Sequence, residues 1–471
     1  MTVPTPNSAN TSTTNAFATL PLSEAQLANL KTLEYHAMTP IQAQSLPHLL
    51  AGKDVTAKAK TGSGKTVAFG LGVLHKLNVK KFAVQALVLC PTRELADQVS
   101  KELRKLARAV HNIKILTLCG GMPFGPQLAS LEHGAHIVVG TPGRIEEHVR
   151  KEKLLLDNVT TLVLDEADRM LDMGFRESID AVVSKLPKQR QTLLFSATYP
   201  DTIAQLSKTY QNQPVEVTVE STHQQDTITQ TFFEVSKDQR EAALLKLYDH
   251  YNPASSVVFC NTKQLCQDIA QALQSHGYSA KALHGDLEQK ERDQVLTTFA
   301  NQSCSVLVAT DVAARGLDIK DLEAVINYEL SRDPEVHVHR IGRTGRSGKK
   351  GLALSLFTPS EAYKINLIED YQGSPAPLGD LGKLRTTAMG GHEPPMITLQ
   401  IDGGRRDKLR PGDILGALTG DAGIAGTDVG KIDVFNTCAY VAIKRDSARV
   451  ALSRLLDGKL KGRKFKVRKI R

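Results

Sequence analysis

The chain has 471 residues, 41% of them hydrophobic and 23% charged, a globular mixture that at roughly 150 residues per domain corresponds to about three domains. This composition excludes a mainly disordered or fibrous chain, and no run approaches the ~20 consecutive apolar residues that a membrane-crossing helix needs. The formal net charge is +9, and its placement says more than its size: residues 394–471 hold 17 Lys and Arg against eight Asp and Glu, whereas residues 1–393 hold 42 of each sign. A basic excess confined to one end points to a polyanionic partner, with nucleic acid first.

In chain order, residues 1–15 lack an apolar core and any arginine, which predicts a disordered tail and neither a secretory nor a transit peptide. Residues 16–219 alternate helical patterns with short apolar runs at 86–90, 113–118, 136–139, 161–164 and 192–195. Continuous apolar runs of this length predict a parallel sheet covered on both faces. A polar stretch at 220–230 reads as a linker. A second unit with the same habit follows at 231–372, with strands predicted at 256–259, 305–309, 324–327 and 352–357. Between residues 373 and 395, nine of 23 are Gly or Pro, so 373–393 reads as a second linker. The last segment, 394–471, predicts strand 396–401, helix 411–419, strands 431–435 and 439–443, helix 447–456 and strand 464–469; this βαββαβ order is similar to an RNA-recognition-motif domain. The six cysteines form no CxxC pair and several sit in apolar runs, as in the reduced core of a cytoplasmic protein; the 14 histidines show no metal-ligand spacing.

Ala59-Lys60-Thr61-Gly62-Ser63-Gly64-Lys65-Thr66 fits the phosphate-binding pattern GxxxxGK[ST], with Ala in place of the first Gly. Gly62 and Gly64 let backbone N–H groups turn toward phosphate oxygens at a helix N-terminus, Lys65 reaches the β- and γ-phosphates, and the Thr66 hydroxyl ligates Mg²⁺. The apolar run Leu162-Val163-Leu164 leads into Asp165-Glu166-Ala167-Asp168. Asp165 is placed to hold Mg²⁺, largely through water, and Glu166 to act as general base on the attacking water.

These motifs, with Pro91-Thr92-Arg93-Glu94-Leu95-Ala96, Gly120-Gly121, Thr141-Pro142-Gly143-Arg144 and Ser196-Ala197-Thr198, occur in an order that resembles the DEAD-box ATP-dependent RNA helicases. So do Phe259-Cys260-Asn261-Thr262, Gln289 with Arg292, Ala309-Thr310-Asp311 through Ala314-Arg315-Gly316-Leu317-Asp318, and His339-Arg340-Ile341-Gly342-Arg343-Thr344-Gly345-Arg346. The resemblance covers residues 17 to about 360. It implies two tandem RecA-like domains and RNA-stimulated ATP hydrolysis with local, non-processive unwinding.

Residue by residue, the resemblance implies that Gln42 reads adenine, Phe17 stacks on the base, and Thr61 belongs to the phosphate cradle. Asp318 would bind ribose, with Gly316 on the same loop. Arg343 and Arg346 would stabilise charge on the transferred phosphoryl group. Ser196 and Thr198, with Asp168 and His339, would couple the two domains. Arg93, Gly121, Thr141, Arg144, Thr310 and Arg315 would touch RNA sugar and phosphate, blind to base sequence. Members of the family commonly carry Gly before the aromatic at Tyr35, where this chain has Glu34.

Ile401-Asp402-Gly403-Gly404, the segment Arg410 to Gly420, and Lys431-Ile432-Asp433 look like the C-terminal RNA-recognition-motif-like domain of the bacterial DbpA subfamily. That resemblance implies a 23S ribosomal RNA hairpin as target, pre-50S particles as partners and a role in large-subunit assembly. The segment 437–443 offers a single aromatic, Tyr440, and strand alternation allows it to face the core, so the usual base-stacking platform is missing. RNA recognition is therefore expected to lean on Arg405, Arg406, Lys408, Lys444 and Arg445. A cytoplasmic monomer is expected. The alternative reading is an ATP-gated RNA clamp or scaffold with little unwinding.

Overall fold

The computed structural model describes residues 16–59, 62–219, 227–314, 322–345, 350–385, 393–420 and 423–470. The expected tail at 1–15, and Thr61, Arg315, Gly316, Asp318 and Arg346, lie outside the described residues. The chain divides near residue 222 into two compact units.

The first unit is built on seven strands, β1 (Val55–Lys58), β2 (Ala86–Leu89), β3 (Ile115–Leu118), β4 (Ile137–Gly140), β5 (Thr161–Asp165), β6 (Gln191–Ser196) and β7 (Val215–Thr218). They form one all-parallel sheet in the order β3-β4-β2-β5-β6-β1-β7. Successive side chains of a strand point to opposite faces, and here both faces are apolar. Val88, Val139, Val163 and Phe195 enter one buried cluster, while Leu87, Leu89, Val138, Leu164 and Leu194 enter another. Helices cover both clusters, which is why the strands read as uninterrupted apolar runs.

The second unit repeats this plan with β8 (Ile228–Glu234), β9 (Ser256–Phe259), β10 (Ala280–Leu283), β11 (Val306–Ala309), β12 (Ala324–Asn327), β13 (Gly351–Phe357) and β14 (Leu378–Gly379), again all parallel, in the order β10-β11-β9-β12-β13-β8-β14. Two stretches expected to be linker contribute to this sheet. Strand β8 starts at Ile228 and β14 lies at 378–379, where Phe232 pairs with Leu378. The polar run Thr229-Gln230-Thr231 hid β8, because its strand character comes from pairing with β13 and not from an apolar run.

The second unit also contains the C-terminal module, whose β15 (Met396–Ile401), β16 (Val429–Val434), β17 (Ala439–Lys444) and β18 (Val467–Lys469) form an antiparallel sheet in the order β16-β17-β15-β18. Ile397, Leu399, Ile401, Ala439, Val441 and Ile443 enter the module's own core. The alternate residues Thr398, Gln400, Tyr440 and Ala442 form the opposite face, with Gln400 directly across from Tyr440. Tyr440 therefore does not enter the core of its own domain. It is nonetheless 1% exposed, as is Gln400, and Thr398 and Ala442 are fully buried.

What covers this face is the second helicase-type domain, beyond its helix Gln289–Ala300. Asn301 Nδ2 donates to Thr398 Oγ1 at 2.8 Å, and Thr398 Oγ1 donates to Ser303 Oγ at 2.8 Å. Asp293 on that helix is near enough to Tyr440 to help raise its hydroxyl pKa, after burial and Cys438. The sheet face that an RNA-recognition motif turns to bases is here a protein interface. Replacing Thr398 by Arg puts a long charged side chain at a fully buried position and should lift the module off. All six cysteines are free and buried. Thiol labelling of the native protein should therefore rise by one reactive group, Cys438; an unchanged count would show that this face is not held closed by the contact.

Candidate nucleotide and RNA sites

Parallel pairing puts every C-terminal strand end of the first sheet at one edge, and the expected site residues of this unit, apart from Phe17 and Gln42, close or follow those ends. The phosphate loop follows β1, the acidic pair ends β5, and Ser196 ends β6, which lies between them. Gly62 and Gly64 have φ of +86° and +97°, values that L side chains rarely adopt. Gly64 caps the helix Lys65–Lys76, so the loop's amides lead into a helix N-terminus. A Cβ on Gly64 would stand 2.5 Å from Gln42 Nε2 and 2.8 Å from Thr39 Oγ1, so space forbids a side chain as firmly as φ does.

Gln42 itself is 3% exposed, in the helix Pro40–Leu50. Its Nε2 donates to the Gly64 carbonyl at 3.1 Å and its Oε1 accepts from Thr39 N at 2.9 Å. One amide hydrogen and one lone pair remain, the donor and acceptor that bidentate adenine reading requires. Phe17 is 5% exposed and belongs to the apolar cluster that includes Ile41 and Leu46. Lys65 is buried and its Nζ donates to the Ala59 carbonyl at 2.9 Å.

Asp165 sits opposite this lysine electrostatically. Burial lifts its carboxyl to about 7, Lys65 pulls it down, and Glu166 pushes it up. Its Oδ1 is buried without a hydrogen-bond partner, and so is Ser63 Oγ. An orphaned buried carboxylate oxygen beside a phosphate loop fits a hard divalent cation such as Mg²⁺. Glu166 has φ of +53°, a left-handed conformation that costs a non-glycine residue roughly 1–3 kcal/mol, and it ends β5 by turning the chain into the helix Ala167–Asp172. Its Oε2 is ion-paired with Arg169 Nη1 at 2.9 Å, both side chains almost fully buried. The sequence reading missed Arg169; an i,i+3 acid–base spacing on a helix was the available signal.

Asp168 ties this box to the next motif. Its Oδ2 accepts from Ala197 N, Thr198 N and Thr198 Oγ1, each at 3.1 Å. The Ser196 carbonyl in turn accepts from Ala59 N at 3.0 Å, at the mouth of the phosphate loop. Phosphate loop, acidic box and Ser196-Ala197-Thr198 are one bonded assembly.

The other half of the same edge gathers Arg93, Gly121, Thr141 and Arg144, after β2, β3 and β4. Arg93 Nη1 lies 3.5 Å from where a Cβ on Gly121 would be, Gly120 N donates to Thr141 Oγ1 at 3.1 Å, and Arg144 Nη1 donates to the Met122 carbonyl at 2.8 Å. Glu34 also proves informative: its φ is +63°, so the turn that family members commonly build with Gly is kept here by a strained Glu. Glu34→Gly should raise stability by about 0.5–1 kcal/mol, read as a higher denaturant midpoint; a loss would show that the Glu side chain contributes more than its backbone costs.

In the second unit Thr310 is 8% exposed and follows β11, with Ala313 N reaching its Oγ1 at 3.4 Å. His339 and Arg343 belong to or follow the helix Pro334–Ile341; His339 Nε2 is 3.9 Å from Glu335 Oε1, and Arg343 is 7% exposed. In the C-terminal module the five expected basic residues fall into two groups at opposite ends of β15 and β17. Arg405, Arg406 and Lys408 form a turn bonded to Phe435 and Asn436 carbonyls and joined by Lys461, whose Nζ donates to the Lys408 carbonyl at 2.8 Å. Lys444 is paired with Asp428 at 3.0 Å, and Arg445 with Glu393 at 3.2 Å and the Pro394 carbonyl at 3.0 Å. Among the described residues no His, Cys, Asp and Glu cluster suits a metal, and no helix is long and apolar enough to cross a membrane.

A phosphate loop with an acidic box at one edge of a parallel sheet, followed by a second such sheet, defines a RecA-like nucleotide-driven motor. Comparison with known proteins specifies the class. The DEAD/DEAH box helicase family matches residues 39–206, the helicase conserved C-terminal domain 239–348, and the DbpA RNA binding domain 398–469. The ATP-dependent RNA helicase DbpA of Escherichia coli K12 is 54% identical over 461 residues, 96% of this chain and 99% of that protein. The DEAD-box ATP-dependent RNA helicase CshA of Bacillus cereus is 44% identical over 354 residues, 75% of this chain and 67% of that protein. A structure of Saccharomyces cerevisiae Dbp5 bound to RNA and ADP BeF3 superposes with a TM-score of 0.71 at 31% identity, covering 78% of this chain and 96% of that one. The chain belongs to the DEAD-box ATP-dependent RNA helicases of the DbpA type. It is an RNA-dependent ATPase and helicase with an added RNA-binding domain.

The geometry leaves no room for a side chain at Gly64. Gly64→Ala should weaken ATP binding by about tenfold or more, since a left-handed Ala costs roughly 1–2 kcal/mol before Gln42 is displaced. Titration with a fluorescent ATP analogue reads this directly, and unchanged affinity would mean that the loop is reshaped on binding.

Proposed function

We propose that this helicase is directed by its C-terminal module to a hairpin of 23S ribosomal RNA and acts in the cytoplasm, as a monomer, on pre-50S particles during large-subunit assembly. The observation that carries the reading is the DbpA RNA binding domain at 398–469, joined to a chain that is 54% identical to Escherichia coli DbpA along nearly its whole length. The concentration of the net charge in the same segment supports it.

In the proposed cycle Lys65, Gly62, Ser63, Gly64, Thr61 and Thr66 hold the triphosphate, and Gln42 reads the adenine, with Phe17 backing the base. Gly316 and Asp318 receive the ribose. Mg²⁺ would be held by Thr66 and Asp165, largely through water, and would screen charge between the phosphates. Glu166 accepts the proton of the attacking water, while Arg343 and Arg346 stabilise the charge that develops on the transferred phosphoryl group. Arg93, Gly121, Thr141, Arg144, Thr310 and Arg315 grip the RNA backbone, and Asp168, Ser196, Thr198 and His339 couple grip to hydrolysis. Because the module's sheet face is covered, hairpin recognition falls to its exposed basic loops, with Arg405, Arg406 and Lys408 foremost. Lys444 and Arg445, paired with Asp428 and Glu393, serve the module's own architecture as well.

The test is ATP turnover with a fragment of 23S ribosomal RNA containing the target hairpin, against an unrelated hairpin of equal length. The reading predicts strong preference for the ribosomal fragment, and equal stimulation by both would overturn it. Glu166→Gln should abolish turnover by at least ~100-fold while RNA binding stays ATP-dependent. Separation of a duplex by the wild type but not by this variant distinguishes a helicase from a clamp.

A further inference from the structure

Among the described residues Arg340 is the largest side chain that is nearly fully buried, 2% exposed, and the proposed cycle gives it neither an ATP nor an RNA contact. It lies in the helix Pro334–Ile341, three residues before Arg343. Its guanidinium makes five hydrogen bonds, as many as it has N–H groups. Nε and Nη2 grip the two Asp311 oxygens at 2.7 Å each. Nη1 donates to Asn327 Oδ1 at 3.1 Å and to the Glu329 carbonyl at 2.7 Å, and Nη2 to Asn261 Oδ1 at 3.2 Å. Its plane is backed by the Phe259 ring, 5.0 Å from the centroid.

These partners come from three different strand ends. Asn261 follows β9, Asp311 follows β11, and Asn327 and Glu329 close and follow β12. Asp311 is the neighbour of Thr310 and opens the helix Asp311–Ala314, which leads into Arg315. On the other side, Arg343 N donates to the Arg340 carbonyl at 3.2 Å, so the turn carrying Arg343 is fixed to Arg340 by backbone as well as sequence. A buried ion pair seldom stabilises a fold more than apolar residues of the same volume would, so net stability alone does not account for this one.

We propose that Arg340 is the positioning residue through which RNA engagement at Thr310 sets the placement of Arg343. RNA contact shifts or stiffens the Thr310–Asp311 segment, the bidentate pair transmits this to Arg340, and the three-residue step to Arg343 leaves little slack. The proposal rests on the reading of Arg343 as the residue that stabilises the phosphoryl group and of Thr310 as an RNA contact.

Arg340→Lys keeps the charge and cannot keep the fork. At saturating ATP and RNA its stimulated turnover should fall about 10–100-fold, the loss expected from a misplacement of roughly 1 Å. Turnover without RNA, and the RNA concentration giving half-stimulation, should stay within about twofold, a split that general destabilisation would not produce. Asp311→Asn should give a similar loss, and the double variant should be no worse than either single one, as for two members of one linkage. Equal falls in stimulated and basal turnover, or losses that multiply in the double variant, would overturn the proposal. Should Arg340→Lys fail to fold, Asn261→Ala removes one bond to the same guanidinium and should lower stimulated turnover by about threefold with the basal rate kept; an unchanged ratio counts against the linkage. Arg343→Ala serves as control: if it retains full stimulation, the reading of Arg343 has failed and not the linkage.

Discussion

Parallel strand pairing is the constraint on which the rest of this molecule depends. An all-parallel sheet delivers every C-terminal strand end to one edge, and seven such ends are available in each helicase-type domain. In the first domain that edge is divided. Strands β1, β6 and β5 present the phosphate loop, Ser196-Ala197-Thr198 and the acidic box, while β2, β4 and β3 present Arg93, Thr141 and Gly121. The nucleotide-site residues and the proposed RNA contacts are thus neighbours at one edge of a single sheet. A single carboxylate oxygen, Asp168 Oδ2, holds two of the motifs together with three hydrogen bonds.

Local strain and buried polar hubs mark where this frame departs from what stability alone favours. Glu166 is held at φ +53° and paired with Arg169; Gly64 is at φ +97° against Gln42. Asp165 keeps an orphaned oxygen and a carboxyl raised to about 7 by burial. The left-handed Glu166 and the buried Asp165 carboxyl cost folding free energy, Gly64 takes its φ without a Cβ penalty, and all three sit at the nucleotide edge, as expected where a site is organised ahead of its ligand.

The sheets were largely legible in sequence because strands buried on both faces read as apolar runs: the run at 161–164 became β5 with one residue added. The phosphate loop and the acidic box were legible because phosphate and cation chemistry dictates residue type and spacing. Strand β8 was not, since Thr229-Gln230-Thr231 gains strand character only from its neighbours. Strand alternation allows Tyr440 either face; it lies on the face away from its module's core, and its burial comes from a second domain that no local pattern reveals. Arg340 has no role legible in its motif, because the four residues it bonds lie at three strand ends, the farthest of them 79 residues from it in sequence.

The charge distribution acquires a physical division of labour from the structure. In the proposed function a charge-balanced pair of helicase domains grips RNA through a small local edge, and the C-terminal module, its sheet face closed against the second domain, offers a basic rim to the polyanion. The most direct measurement is the dependence of RNA binding on salt, with and without residues 394–471. Each neutralised phosphate contributes about 0.7–0.9 to the slope of log affinity against log salt. The account predicts that the slope falls by more than half when the module is removed; an unchanged slope would contradict it.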